Sequence, residues 1–175
     1  MVEKDEMNVL EGETCAFCNK KTLTLSEVER DIPFFGKVFI FSMDCNNCNY
    51  HKADVEAVDK HPPSKQAIEV DSEEDMKIRV IKSSKATIKF GRLGGIEPGS
   101  SSNGYVTNIE GLLNRMKKQA ENIRDEADDK SDRKKAKNVV KKLTRIMWGQ
   151  EKLKITMEDP EGNSAIISDK TVKLW

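Results

Sequence analysis

Four residues in this chain have the type and spacing to do chemistry together: Cys15 and Cys18 in "CAFC", and Cys45 and Cys48 in "CNNC". They are all the cysteines the chain has. Two thiolates in a CxxC turn can reach one metal ion, and two such turns make a closed tetrahedral four-sulfur site, the preference of structural zinc. A closed site keeps no position for water or substrate, which argues against metal catalysis. A thioredoxin-like redox pair needs a βαβ context that the flanks lack, although the cysteine motif alone leaves redox chemistry and iron open. The expectation is one structural zinc ion and no catalytic or organic-cofactor site.

The cysteines must be positioned by what lies between them. "TLTLSEVE" (22 to 29) and "KVFIFSM" (37 to 43) read as strands on either side of "RDIPFFG", so a long β-hairpin is expected to fill the gap and protrude. Phe34 and Phe35 are adjacent there. In a strand they point to opposite faces, and whichever is exposed at the tip is a candidate anchor for a partner.

Composition bounds the rest. The chain has 175 residues, with 30 Lys and Arg against 30 Asp and Glu, enough for one compact domain and a small appendage. A balanced charge provides no whole-protein field toward nucleic acid or an anionic membrane. No run approaches the roughly 18 apolar residues of a membrane span, and the acidic start "MVEKDEMNVLEGE" is unlike a signal peptide. Cysteines held strictly as CxxC pairs suit a reducing compartment, so a cytoplasmic location is expected.

Beyond the hairpin, "KATIKF" alternates through Ala86, Ile88 and Phe90, and "KLKITM" through Leu153, Ile155 and Met157. "MKIRVIKS" does the same through Met76, Ile78 and Val80. With "QAIEV", "SAIIS" and "TVKLW" these short strands predict a sandwich or barrel, and "DKHPPSK" (59 to 65) reads as the link to it. Two helices interrupt the strands. Thr107 and Glu110 have capping-box spacing, and Ile109, Leu112, Leu113, Met116, Ala120, Ile123 and Ala127 then share a face. After "DDKSD" a second helix is predicted from about Asp132 to Trp148, striped by Ala136, Val139, Val140, Leu143, Ile146 and Met147, so the pair forms an antiparallel hairpin. The second helix is basic ("RKKAK", "KKLTR"). Its Lys and Arg interleave with aliphatic residues, without the aromatic platform of a single-strand binder. "GRLGGIEPGSSSNG" lacks the spacing and lysine of a phosphate loop and reads as a turn-rich loop. His51 and His61 are not needed as ligands beside four thiolates.

Several motifs in order carry a family resemblance. "DIPFFGKVFIFS" lies between the CxxC pairs, an aromatic and "KADV" follow the second pair, and "IRVIKSSKATIKF", "GGIEPGSSSNGYVTNIEGLLNRM" and "LKITMEDPEGNSAII" come later. Together they resemble the ZPR-one family of zinc finger proteins over residues 13 to 175. Asn49 stands where the family usually has glycine, and "GRLGG" departs from its usual run; asparagine still tolerates a left-handed turn. The resemblance implies a mainly β fold with an α insertion: a four-cysteine zinc ribbon (13–58) after an N-terminal tail (1–12), then a double-stranded β-helix or sandwich-like body (59–175) carrying a helical hairpin at about 107–148. It implies a single-module, archaeal-type form, and a chaperone or binding role toward translation elongation factor one alpha. A zinc-ribbon nucleic-acid protein of translation or transcription, using the basic helix, is the alternative.

Overall fold

A computed structural model describes residues 7–33 and 35–175. Four antiparallel strands form the first sheet, in the order β1 (Met7–Thr14), β2 (Lys21–Ile32), β3 (Gly36–Cys45), β4 (His51–Ala57). The long β2–β3 hairpin pairs in unbroken register from Leu23 opposite Cys45 to Ile32 opposite Gly36, so its base sits at the cysteines. Residues 7–12, expected in an N-terminal tail, belong instead to edge strand β1, which pairs with β2 from Met7 opposite Val28. Every β1 residue is exposed. A strand that buries nothing has no need of alternation, and so gives none to read.

The body begins with β5 (Ser64–Val70) and a single 3-10 turn, Glu74–Lys77. Then come β6 (Arg79–Lys82), β7 (Thr87–Phe90), β8 (Gly95–Ile96) and β9 (Tyr105–Asn108). Helices α1 (Ile109–Glu126) and α2 (Lys130–Met147) intervene before β10 (Leu153–Asp159), β11 (Ala165–Ile167) and β12 (Val172–Lys173). One sheet has the order β12-β5-β10-β7-β8 and the other β11-β6-β9, giving the expected two-sheet body with a helical insertion. Central strand β10 shows the predicted alternation, with Leu153, Ile155 and Met157 buried among Ile68, Ile88, Phe90, Leu112, Leu113 and Leu143. Each such side chain contributes about 1.5–3 kcal/mol by leaving water.

Three local expectations are corrected. Met76 is buried, but through the 3-10 turn and not a strand, because the Asp75 carboxylate accepts hydrogen bonds from the Asp71 and Ser72 amides and folds the chain back on itself. Thr107 lies in β9, and the cap of α1 is Asn108, whose Oδ1 accepts from the Gly111 amide at 2.8 Å. Helix α2 starts at Lys130 because Asp129 caps it through the Ser131 amide. Among the described residues no helix is long and apolar enough to cross a membrane.

Candidate metal centre and its junction with the body

The two CxxC turns are near copies. In the first, the Asn19 amide donates to the Cys15 carbonyl (2.8 Å) and the Cys15 amide to the Lys20 carbonyl (3.0 Å). In the second, the Asn49 amide donates to the Cys45 carbonyl (2.9 Å) and the Cys45 amide to the Tyr50 carbonyl (2.8 Å). Asn19 and Asn49 take matching left-handed conformations, φ 55° and 57°, so asparagine serves at Asn49 in the position where glycine is usual. The β2–β3 hairpin and the β3–β4 turn bring the two copies face to face.

All four sulfurs lie within 4.8 Å of one another. Cys15 Sγ to Cys48 Sγ is 3.8 Å and Cys18 Sγ to Cys45 Sγ is 3.7 Å. A tetrahedron with Zn–S bonds of about 2.3 Å has edges of about 3.8 Å, so the cluster has the dimensions of a zinc site. Cys15 and Cys45 are buried, and the Phe17 ring lies 4.3 Å from that of Tyr50, beside the knuckles. The Thr22 hydroxyl, 3.2 Å from Cys45 Sγ, holds that thiol down to about 6. At Cys48 the Tyr50 amide favours the thiolate, yet burial and the other sulfurs outweigh it and push the thiol up to about 12. Four neighbouring sulfurs cannot all be anionic unless a cation compensates them. His51 is not among the ligand candidates; its Nδ1 lies 2.6 Å from Asp44 Oδ1.

Strand β4 leaves the second knuckle and is gripped by three body loops. The Gly104 amide donates to the Ala53 carbonyl (3.0 Å), and Asn103 Oδ1 accepts from the Ala53 amide (3.0 Å). Lys52 donates to the Ser102 carbonyl, and Asp54 Oδ1 accepts from the Ser84 amide. At the far end Asn163 Oδ1 accepts from the Ala57 amide. Two glycines permit these approaches: a Cβ on Gly104 would stand 2.2 Å from Asp54 Oδ1, and one on Gly162 2.4 Å from the Pro62 carbonyl. The serine-rich loop and the "DPEGNS" turn, both singled out in the sequence, are therefore fasteners between ribbon and body. Beneath the second, buried Asp159 accepts from the Ser83 and Ser164 hydroxyls (2.7 and 2.5 Å).

Ile32, Val38 and Val55 of the ribbon pack with Ile81 and Ala165 of the body, and Phe35 lies half-buried against this cluster. Its ring stacks on His61 at 5.0 Å. It also lines a groove of about 670 Å³ with Pro62, Ile167 and Trp175. Phe35 is thus turned into the junction and is not held out at a free tip; Phe34 lies outside the described residues. No motif announced this, since a turn phenylalanine reads alike in either place.

Metal-sized sulfurs on a ribbon fastened to a two-sheet body define a zinc-ribbon protein whose metal is structural. Comparison with known proteins agrees: residues 6–63 match the ZPR1 zinc-finger domain and residues 74–173 the ZPR1 jelly-roll domain. A ZPR1-like protein of Methanocaldococcus jannaschii is 34% identical over 157 residues, 89% of this chain and 79% of its own length. A ZPR1-like protein of Pyrococcus horikoshii is 34% identical over 161 residues, 89% of this chain and 72% of its own. The zinc finger chaperone zpr1 of Schizosaccharomyces pombe is 29% identical over 77% of this chain, which spans 30% of that longer protein. The chain belongs to the ZPR1 family, and its four cysteines are positioned to bind one structural zinc ion.

Proposed function

We propose that this chain is a zinc-dependent binding factor, with a chaperone role toward translation elongation factor one alpha in the cytoplasm. Cys15, Cys18, Cys45 and Cys48 are its zinc ligands, and it is not an enzyme. The observation that carries the reading is the closed sulfur tetrahedron. It leaves no coordination position for a reacting group, so the metal shapes a surface. The chaperone name of the fission-yeast relative supports the same direction.

Calorimetry with the purified factor tests it, in its GDP-bound, GTP-bound and nucleotide-free states. Binding of the zinc-loaded chain, lost on chelation, is the expected result; no binding in any nucleotide state overturns the reading. The nucleic-acid alternative rests on the basic face of α2, where Arg133, Lys134, Lys135 and Lys137 are all exposed. Phosphate-driven binding weakens steeply with salt, whereas an apolar protein interface does not. The expected outcome is weak salt dependence.

A further inference from the structure

The ribbon sheet has two faces. One carries Ile32, Val38 and Val55 into the junction with the body. Register assigns the opposite face: on β3 it presents Phe39, Phe41 and Met43, one every second residue. Beside them stand Leu25 of β2, opposite Met43, and Leu10 of β1, opposite Leu25. Phe39 and Phe41 are half-buried, Leu10 is 60% exposed, and the cluster that joins ribbon to body includes none of these residues. Together they make an apolar ridge about 13 Å long, at about 6.6 Å per residue pair.

Its flanks are acidic. Glu27 of β2 is the cross-strand partner of Phe41, and Glu56 of β4 is that of Phe39. Both carboxylates are exposed, and neither forms an ion pair among the described residues. The cations on this face are already engaged: Lys37 pairs with Glu29, the β2 partner of Phe39, at 2.7 Å, and Lys52, opposite Met43 on β4, reaches the Ser102 carbonyl. An apolar ridge between two free carboxylates selects by charge. It repels an acidic segment and complements one whose apolar row is bordered by Lys or Arg.

We infer that this outer face of the ribbon, centred on Phe39 and Phe41 and bordered by Glu27 and Glu56, docks a cationic amphipathic segment of a protein partner. A helix of about nine residues spans the ridge at 1.5 Å per residue, offering two or three apolar side chains at i, i+3/i+4 spacing. The inference deepens the partner-binding reading above and relies on it only for the partner's being a protein. It moves the aromatic contact from the β2–β3 turn, where Phe35 is committed to the junction, to the middle of β3.

The test uses the zinc-loaded chain, ¹⁵N-labelled, at about 150 mM salt, where long-range attraction is screened beyond about 8 Å. The probe is an 18-residue peptide with Leu on one helical face and Lys on the other, compared with the same peptide bearing Glu for Lys. The Lys peptide is expected to shift the amides of Glu27, Phe39, Phe41 and Glu56, and to bind at least tenfold more tightly than the Glu peptide. Phe39→Thr with Phe41→Thr keeps strand-forming residues on the sheet and should weaken it at least tenfold. Glu27→Lys with Glu56→Lys leaves the ridge intact and should reverse the preference between the peptides. Shifts confined to α2 or to the Trp175 groove overturn the inference. So does a concentration-dependent dimer, in sedimentation, that the phenylalanine pair abolishes, since a second copy would then cover the face. Elongation factor separates the two readings. A chain that takes the peptide on β3 but ignores the factor keeps the surface and loses the partner, whereas unimpaired factor binding by both double variants keeps the partner and loses the surface.

Discussion

At the knuckle end of the ribbon the buried cluster is Cys15, Leu23 and Cys45, while the body buries sixteen apolar residues in one continuous core. The ribbon end therefore cannot be held by the hydrophobic effect at about 1.5–3 kcal/mol per large side chain. It is held by coordination, which in small zinc domains supplies on the order of 10 kcal/mol. The body has no such dependence on a single centre. Its stability is spread over many contacts, so the two regions should fail differently: the ribbon all at once with its metal, the body by increments.

The largest effect should come from Cys45→Ser or from chelation. Three thiolates cannot close the tetrahedron, so metal analysis should show well under one zinc per chain, with β2–β4 amides losing hydrogen-exchange protection; stoichiometric zinc in the variant contradicts this. Next comes the body. Phe90→Ala or Leu113→Ala empties volume in a fully buried site and should cost about 3–5 kcal/mol in denaturant unfolding while zinc content stays at one. If the body variant lost its zinc, the contrast between the regions would collapse.

A smaller effect sits on the 3-10 turn. Burial alone would raise the Asp75 carboxyl, but the Asp71 amide, Lys170 and Ser72 outweigh it and hold it to about 2. The folded value lies below the unfolded one of about 3.9. This group's contribution is therefore complete above about pH 4 and is lost as pH falls from there through about 2. Asp75→Ala, which leaves the Asp71 and Ser72 amides without their acceptor, should cost about 1–3 kcal/mol at pH 7. It should also flatten the acid limb of a stability–pH curve; an unchanged limb would remove Asp75 from the account. The smallest change is expected for Lys134→Glu with Lys137→Glu on exposed α2, within about 0.5 kcal/mol in thermal unfolding.

What could be read in the sequence follows the same division. The CxxC pairs and the alternation of Leu153, Ile155 and Met157 are local patterns whose physical cause is local, and both are found in the fold. The α1 and α2 stripes were legible for the same reason, although Ile123 is 56% exposed because the outer part of a two-helix arm has little to bury it. Strand β1 was not legible, since pairing alone holds it and backbone hydrogen bonds leave no mark on side-chain type. Met76 was misread because a carboxylate one residue away set the turn. Which of Phe34 and Phe35 faces inward was not legible, because the surroundings of Phe35 come from His61 and from strands far along the chain. The clustered cysteines were legible as a set; the fasteners on β4 were visible only as glycine and asparagine in loops.

The close approach at Gly104 and Gly162 bears on whether the ribbon can be moved to another protein. Cut out alone, residues 7–58 would carry Ile32, Val38 and Val55 into water and leave the Ala53 and Ala57 amides without the asparagine oxygens that receive them. Zinc would still gather the four sulfurs, yet the far end of the hairpin would have nothing to rest on. The ribbon is in that sense not a portable finger. Its metal sets one end, its host sets the other, and a transplant would have to bring both glycine loops with it.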